Sequence, residues 1–226
     1  MEKVTYIIPI HKYDTTIEKY LTQALESLKV LEGSEDGYLM FIGAKDIVKQ
    51  CESLTKKIGC PQTLDSVDTD EQDIYSKINY GVNKCVTSYF SILEFDDEYY
   101  PYYNTCVQNV LERKERYSII MPINELYSTD KRGISFMNEI AWDAAFSDNI
   151  GFINVEELKI FKDFNVTGAY IKTDDFIAVG GLKPSMKIAA WYEFLLRMAH
   201  YDKKIFILPR VGYKHTVLRE DSYMVK

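Results

Sequence analysis

Cysteine and histidine are too few and too scattered here to staple or metal-fix a scaffold. The four cysteines, Cys51, Cys60, Cys85 and Cys106, form no Cys-x-x-Cys pair, and no histidine stands at zinc-ligand spacing from them. Free, buried thiols are the expectation, as in a reducing compartment. No stretch approaches the ~18 consecutive apolar residues of a membrane-spanning helix. The apolar run after Met1-Glu2-Lys3 is too short for a secretory signal, so a cytoplasmic protein without a membrane span is expected. Basic charge is also in deficit. With 27 Lys and Arg against 34 Asp and Glu, the net charge of −7 lacks the footprint of a non-specific binder of nucleic acid or anionic membrane. Gly/Ser-rich linkers, low-complexity tracts and internal repeats are missing too, so one domain is the simplest organisation. Oligomeric state cannot be read, although tyrosines at the surface would suit an interface.

What is there suits a well-packed protein: 226 residues, 46% hydrophobic, with 18 tyrosines. The most informative stretch is Tyr89-Phe90-Ser91-Ile92-Leu93-Glu94-Phe95-Asp96-Asp97. A short apolar run, readable as a buried strand, ends in three carboxylates within four residues. One reading is an acidic turn closing a strand. The other is a set of hard oxygen ligands for Mg²⁺ or Mn²⁺ carrying phosphates, at the strand end where open α/β sheets bind ligands.

Along the chain, Val4 to Ile10 reads as a buried strand. Thr15-Thr16-Ile17-Glu18 has capping-box spacing, and Ile17, Tyr20, Leu21, Ala24, Leu25 and Leu28 share one helical face. Tyr38 to Ile42 is a second strand, Asp46 to Ile58 a second helix and Ile74 to Val86 a third. Alternation of this kind predicts an α/β fold with a parallel sheet and crossover helices. A helix over Tyr102 to Arg116 and a strand over Tyr117 to Pro122 follow. Residues 124–163, with a helical piece around Trp142, read as an insertion or an acceptor-facing region rather than as sheet core. Phe164 to Ile171 reads as a strand, Thr173 to Val179 as a short helix, Ser185 to Tyr201 as a long helix and Lys204 to Pro209 as the last strand.

This order resembles the inverting family-2 glycosyltransferases. Val4-Thr5-Tyr6-Ile7-Ile8-Pro9-Ile10 is similar to that family's opening strand, and Asn79-Tyr80-Gly81-Val82 to its Asn-x-Gly signature. Leu93-Glu94-Phe95-Asp96-Asp97 falls where the family has Leu-Asp-x-Asp-Asp. Val179-Gly180-Gly181-Leu182, Glu193-Phe194-Leu195-Leu196-Arg197 and Val211-Gly212-Tyr213-Lys214-His215 resemble its Gly-Gly turn, its Glu-Leu-Leu-Leu-Arg helix and its Tyr-x-His region. The resemblance implies a GT-A (Rossmann-like) fold, with a mixed, mostly parallel sheet flanked by helices. It implies a single domain over 1–226, with a nucleotide-sugar and metal half to about residue 122 and an acceptor-side half beyond. It also implies metal-dependent transfer of a sugar from a nucleoside diphosphate to an acceptor. That acceptor would be a saccharide, lipid or protein, or, against the acidic composition, a modified base in DNA.

Carried over residue by residue, the resemblance makes Asp97, Glu94 and His215 ligands for Mn²⁺ or Mg²⁺. It places Pro9, Asp46, Asn79, Glu94, Asp96 and Arg219 at the donor. Two departures stand out. The second strand ends in Gly43-Ala44-Lys45-Asp46, where the family has Asp-Asp-Gly-Ser. The family's general base falls at Ala190-Trp191, and an indole cannot accept a proton. Three readings remain. Glu193, or one of Asp174 and Asp175, acts as base; the mechanism is retaining; or the chain keeps the fold as a non-catalytic binding or assembly protein. Trp191 is then either an acceptor-site stacking platform or a core residue.

Overall fold

The computed structural model describes residues 1–113, 115–130, 133–140, 152–160 and 165–217. The chain opens with β1 (Val4–Pro9), α1 (Thr15–Lys29), β2 (Tyr38–Gly43), α2 (Lys45–Ile58), β3 (Thr63–Leu64) and β4 (Val67–Asp68). It continues with α3 (Ile74–Val82), β5 (Tyr89–Ile92), β6 (Glu98–Tyr99), α4 (Tyr103–Leu111), β7 (Ile119–Asp130) and β8 (Gly133–Ile140). β9 (Phe152–Ile153), α5 (Val155–Ile160), β10 (Tyr170–Lys172) and α6 (Thr173–Ala178) follow. A short 3-10 helix (Pro184–Ala189), α7 (Ala190–His200) and β11 (Ile205–Val217) complete the described chain.

The strands share one sheet in the order β3-β2-β1-β5-β10-β7-β11-β6, with β4 on β2, β8 on β7 and β9 on β11. β1 lies parallel to β2 and β5, and β7 parallel to β11. β10 is antiparallel to both β5 and β7, so β2, β1, β5, β7 and β11 all run the same way around one reversed strand. Apolar side chains alternate between the two faces. Tyr6 and Ile8 of β1, with Ile10 just beyond it, join Leu39 and Phe41 under α1, α2 and α4. Ile7, Met40 and Ile42 face the other way, toward α3, α5, α6 and α7. Burial on both faces explains why these strands read as continuous apolar runs.

Several expectations change at element ends. Asp14, not Thr15, caps α1: its carboxylate accepts the N–H groups of Thr16 and Ile17 at 3.0 and 2.9 Å. A carboxylate suits the positive end of the helix, and such a cap contributes about 1 kcal/mol. α3 stops at Val82 and α4 at Leu111, each short of the expected end. The expected strand over Phe164 to Ile171 shrinks to Tyr170–Lys172, because Gly168, at φ 76°, turns the chain into the sheet from its far edge. The expected long helix from Ser185 divides at Lys187, whose φ of 43° is not helical. Residues 124–163 contribute more to the sheet than expected, since β7 runs on to Asp130 and pairs with β8 and β11. The Trp142 piece lies outside the described residues.

The tyrosines serve the core more than the surface. Tyr6, Tyr99, Tyr103, Tyr170 and Tyr213 are all buried and meet at ring-centroid distances of 5.2 to 6.2 Å. Their hydroxyls are bonded, as burial requires. Tyr6 and Tyr170 share a hydrogen bond of 2.9 Å, and Tyr170 donates to Asn104. The four cysteines are free thiols, and burial pushes Cys51 and Cys85 up to about 12.

Candidate functional site

The C-terminal ends of β1, β2 and β5 lie along one edge of the sheet. Ile7 pairs with Ile92, so Glu94 and Asp97 emerge just past the level at which β1 ends. His11, after β1, places its ring against Phe95 at 6.3 Å, joining the two strand-end loops. β11 brings in the last component, with Tyr213 and Lys214 paired to β6 and His215 in register with Leu126 of β7.

Glu94, Asp97 and His215 converge there, each offering one ligand atom within 4.8 Å of the others. Asp97 is fully buried; it accepts the Thr216 N–H through Oδ1 at 2.8 Å, and its Oδ2 lies 2.8 Å from His215 Nδ1. Burial alone would lower the pKa of His215. The carboxylates of Asp97, Glu94 and Asp96 outweigh it and raise the imidazole from 6.5 to about 9. The Tyr213 hydroxyl accepts the backbone N–H of Glu94 at 3.1 Å, which fixes the start of the acidic turn. Gly168 lets that ring in, since a Cβ at 168 would stand 2.4 Å from it. Two carboxylates and an imidazole are a donor set that could hold a cation of the Mn²⁺ or Mg²⁺ type.

Other residues singled out from the sequence fall in different places. Pro9 ends β1 and pairs with Ile42, and Asp46 lies exposed in the first turn of α2; both are at this sheet edge. Asp96 is half-buried in the acidic turn. Asn79 does structural work: its amide donates to Leu182 O and accepts from Leu182 N, each at 2.8 Å, clamping the Gly180-Gly181 turn to α3. Gly81 completes the motif by packing, since a Cβ there would lie 1.9 Å from Ile42 Cδ1. Arg219 lies outside the described residues.

Two of the three candidate bases, Glu193 and Asp175, are tied into ion pairs. Glu193 binds Arg197 at 2.6 and 2.8 Å and Lys183 at 2.9 Å. Arg197 in turn donates to the carbonyls of Val179 and Gly181. Burial raises the Glu193 carboxyl, but these cations outweigh it and leave the pKa below its usual value. Asp175 accepts from Ser118 and pairs with Lys203 at 2.6 Å. Because β10 is reversed, α6 begins where β5 begins, with Thr173 N bonded to Ser88 O. Asp174 and Asp175 therefore stand at the opposite sheet edge from Glu94, which removes them from the acidic site. Trp191 is half-buried, its ring edge-on to Phe194 at 5.9 Å on the α7 side of the core.

Sequence reasoning missed Lys77. Only 4% exposed, it donates to Ile10 O at 3.1 Å from α3, at the end of β1. Its signal is position: Lys77 falls on the apolar stripe of α3 with Ile74, Ile78, Gly81 and Val82. A cavity of about 200 Å³ lies at the other sheet edge, lined by Met1, Glu2, Tyr6, Asp36 and Asn104 among others, away from the acidic turn.

The reversed β10 inside a parallel sheet, helices on both faces and acids past β5 define a GT-A-like fold. Among solved structures it is similar to the S. aureus glycosyltransferase TarS. Residues 1–349 of TarS in complex with UDP-GlcNAc superpose with a TM-score of 0.72 at 13% identity, covering 98% of this chain and 61% of that one. The complex with UDP gives 0.70 at 16% identity, covering 99% and 63%. This chain thus spans about three-fifths of the length of those structures. No protein-family profile and no curated protein matches it. Among the described residues no helix is long and apolar enough to cross a membrane.

Proposed function

We propose that this protein transfers a sugar from a nucleoside diphosphate donor to an acceptor hydroxyl, with Glu94, Asp97 and His215 holding Mn²⁺ or Mg²⁺. The observation that carries this reading is the convergence of those three side chains at the C-terminal sheet edge of a GT-A-like fold. A divalent cation there would supply positive charge to the departing diphosphate. Asp97 stays ordered because Thr216 N–H holds one of its oxygens. Tyr213 keeps the Glu94 backbone in place, and Pro9, Asp46 and Asp96 lie at the same sheet edge, where the donor would bind. Likeness to TarS structures that contain UDP and UDP-GlcNAc supports a nucleotide-sugar donor.

Glu193 is a poor proton acceptor while Arg197 and Lys183 hold it, and Asp175 lies at the wrong edge. Together with Trp191 at the expected base position, this favours two readings over direct inversion by these residues. In the first, the leaving phosphate takes the acceptor's proton. In the second, the chain binds a nucleotide sugar without turning it over.

Calorimetric titration with UDP- and GDP-sugars in Mn²⁺, followed by an assay for released nucleoside diphosphate, separates these outcomes. Metal-dependent binding lost in Glu94→Ala and Asp97→Ala, with diphosphate release on adding saccharide, lipid, protein or DNA acceptors, supports transfer. Binding without release supports the non-catalytic reading. No affinity at millimolar Mn²⁺ removes both.

A further inference from the structure

The cavity of about 200 Å³ lies between the start of β1 and the turn that leads into β2. Its rim and its floor differ in chemistry. Exposed Glu2, Lys3, Glu35 and Asp36 stand at the rim, whereas Tyr6 and Asn104, both fully buried, stand at the floor. Two glycines let the turn close on that floor. A Cβ at Gly37 would lie 3.2 Å from the Tyr6 ring, and one at Gly33 would lie 3.3 Å from Asn104 Nδ2.

Asn104 has a donor to spare. Its Oδ1 accepts the Tyr170 hydroxyl at 3.0 Å and the Gln108 amide at 3.3 Å, while its Nδ2 donates once, to Glu32 O at 2.9 Å. A primary amide carries two N–H donors, so one remains. Among the described residues nothing accepts it. Nδ2 is also the Asn104 atom beside Gly33, which itself lines the cavity. A buried donor left without a partner is costly, and the cavity is where its partner belongs.

The lining discriminates among ligands. Three carboxylates against one ammonium at the rim disfavour phosphates. A metal ion lacks its ligands here, since among the described residues the group that converges at cation distance is Glu94, Asp97 and His215. An organic ammonium suits the rim but meets the Asn104 N–H donor against donor at the floor. A sugar suits both levels: its hydroxyl oxygens accept from the amide, and its hydroxyl hydrogens go to the carboxylates. Burial and then the charge of Glu35 raise the Tyr6 phenol, so the rim carboxylate is felt at the floor. The volume exceeds that of a single water many times over and is on the scale of one sugar ring.

We propose that this cavity binds a neutral saccharide, with Asn104 donating to a hydroxyl oxygen and Glu35 and Asp36 accepting from hydroxyls at its mouth. The site is separate from the one proposed for transfer. The six residues of β1, about 20 Å of strand, run from the cavity toward the edge that carries Glu94 and Asp97. The inference therefore does not rest on the nucleotide-donor reading.

NMR titration of the isotope-labelled full chain with glucose, N-acetylglucosamine and maltotriose, without nucleotide or Mn²⁺, tests it. At least one sugar should saturate in the millimolar range, moving the Asn104 side-chain amide and the Gly33 and Gly37 backbone amides. Inorganic phosphate and methylammonium should leave those signals in place. Glu35→Ala combined with Asp36→Ala changes exposed positions alone and should weaken sugar binding about tenfold or more. Glu94→Ala should leave it unchanged. Sugar binding that ignores the rim variant, or that is lost in Glu94→Ala, overturns the proposal. So do larger shifts with phosphate or methylammonium than with sugar. Absence of saturation with all three sugars overturns it as well and leaves the cavity to water. The donor reading is tested separately, by nucleotide binding at Glu94 and Asp97, and survives any of these failures.

Discussion

His215 Nδ1 and Asp97 Oδ2 stand 2.8 Å apart across 118 positions of sequence. Asp97 also accepts the N–H of Thr216, so one buried carboxylate holds two successive residues of β11 against the turn after β5. The contact is a clamp before it is a ligand set.

Asp97→Asn should therefore lower stability as well as metal affinity. We expect a loss of about 1–3 kcal/mol by chemical denaturation at pH 7, as for a buried charged hydrogen bond left imperfectly matched. Added Mn²⁺ should raise the wild-type melting temperature, worth about 2.7 kcal/mol at a hundredfold excess over Kd, and leave the variant unmoved. Thermal melts with and without Mn²⁺ check both parts.

His215 predicts two opposite pH trends. Its pKa is raised from 6.5 to about 9, so in metal-free protein its stabilising charge is complete below pH 6.5 and lost as pH rises through about 9. Mn²⁺ must displace that proton, so metal affinity should climb about tenfold per pH unit toward pH 9 and then level off. His215→Gln should flatten both curves, as read by melts without metal and by titration with it.

Tyr213→Phe removes the hydroxyl that holds Glu94 N–H while keeping the ring. The expected cost is about 1 kcal/mol. Mn²⁺ affinity should fall by about 10–100-fold, the scale of lost outer-shell support. Unchanged affinity would mean that the turn holds itself.

Glu193→Gln separates structural from catalytic work. As a clamp residue, Glu193 steadies Arg197, which bonds the carbonyls of Val179 and Gly181. Its depressed pKa makes its contribution full above pH 4.5 and lost as pH falls through the lower folded value. The variant should be less stable by about 1–3 kcal/mol at pH 7 and approach wild type in acid. Unaltered stability with abolished turnover would instead assign Glu193 as the base.

Local pattern carried much of this in the sequence. Val4 to Pro9 and Tyr38 to Gly43 are buried on both faces and read as strands from composition alone. Glu94 to Asp97 stood out because a core strand ends there. The direction of β10 was not legible, because three paired residues look the same in either orientation. Nor was the placement of Asp175, which follows from that direction. Lys77 was hidden for another reason. Asp73 and Lys77 are four apart, which in sequence looks like an exposed helical ion pair, and only the fold turns the lysine inward. Asn79 and Gly81 were noticed as a motif, but their work is clamping and close packing.

Because His215 lies on β11, 118 positions after Asp97, the cluster of Glu94, Asp97 and His215 assembles only when β11 joins the sheet. Contacts between such distant positions form slowly, after most loop-closure entropy has been lost. During synthesis Glu94 and Asp97 emerge long before the imidazole and hydroxyl that hold them. A chain stalled before Tyr213 presents only unassembled carboxylates. On the proposed reading, cation affinity would report that β11 has joined the sheet, and a divalent ion would select molecules in which it has.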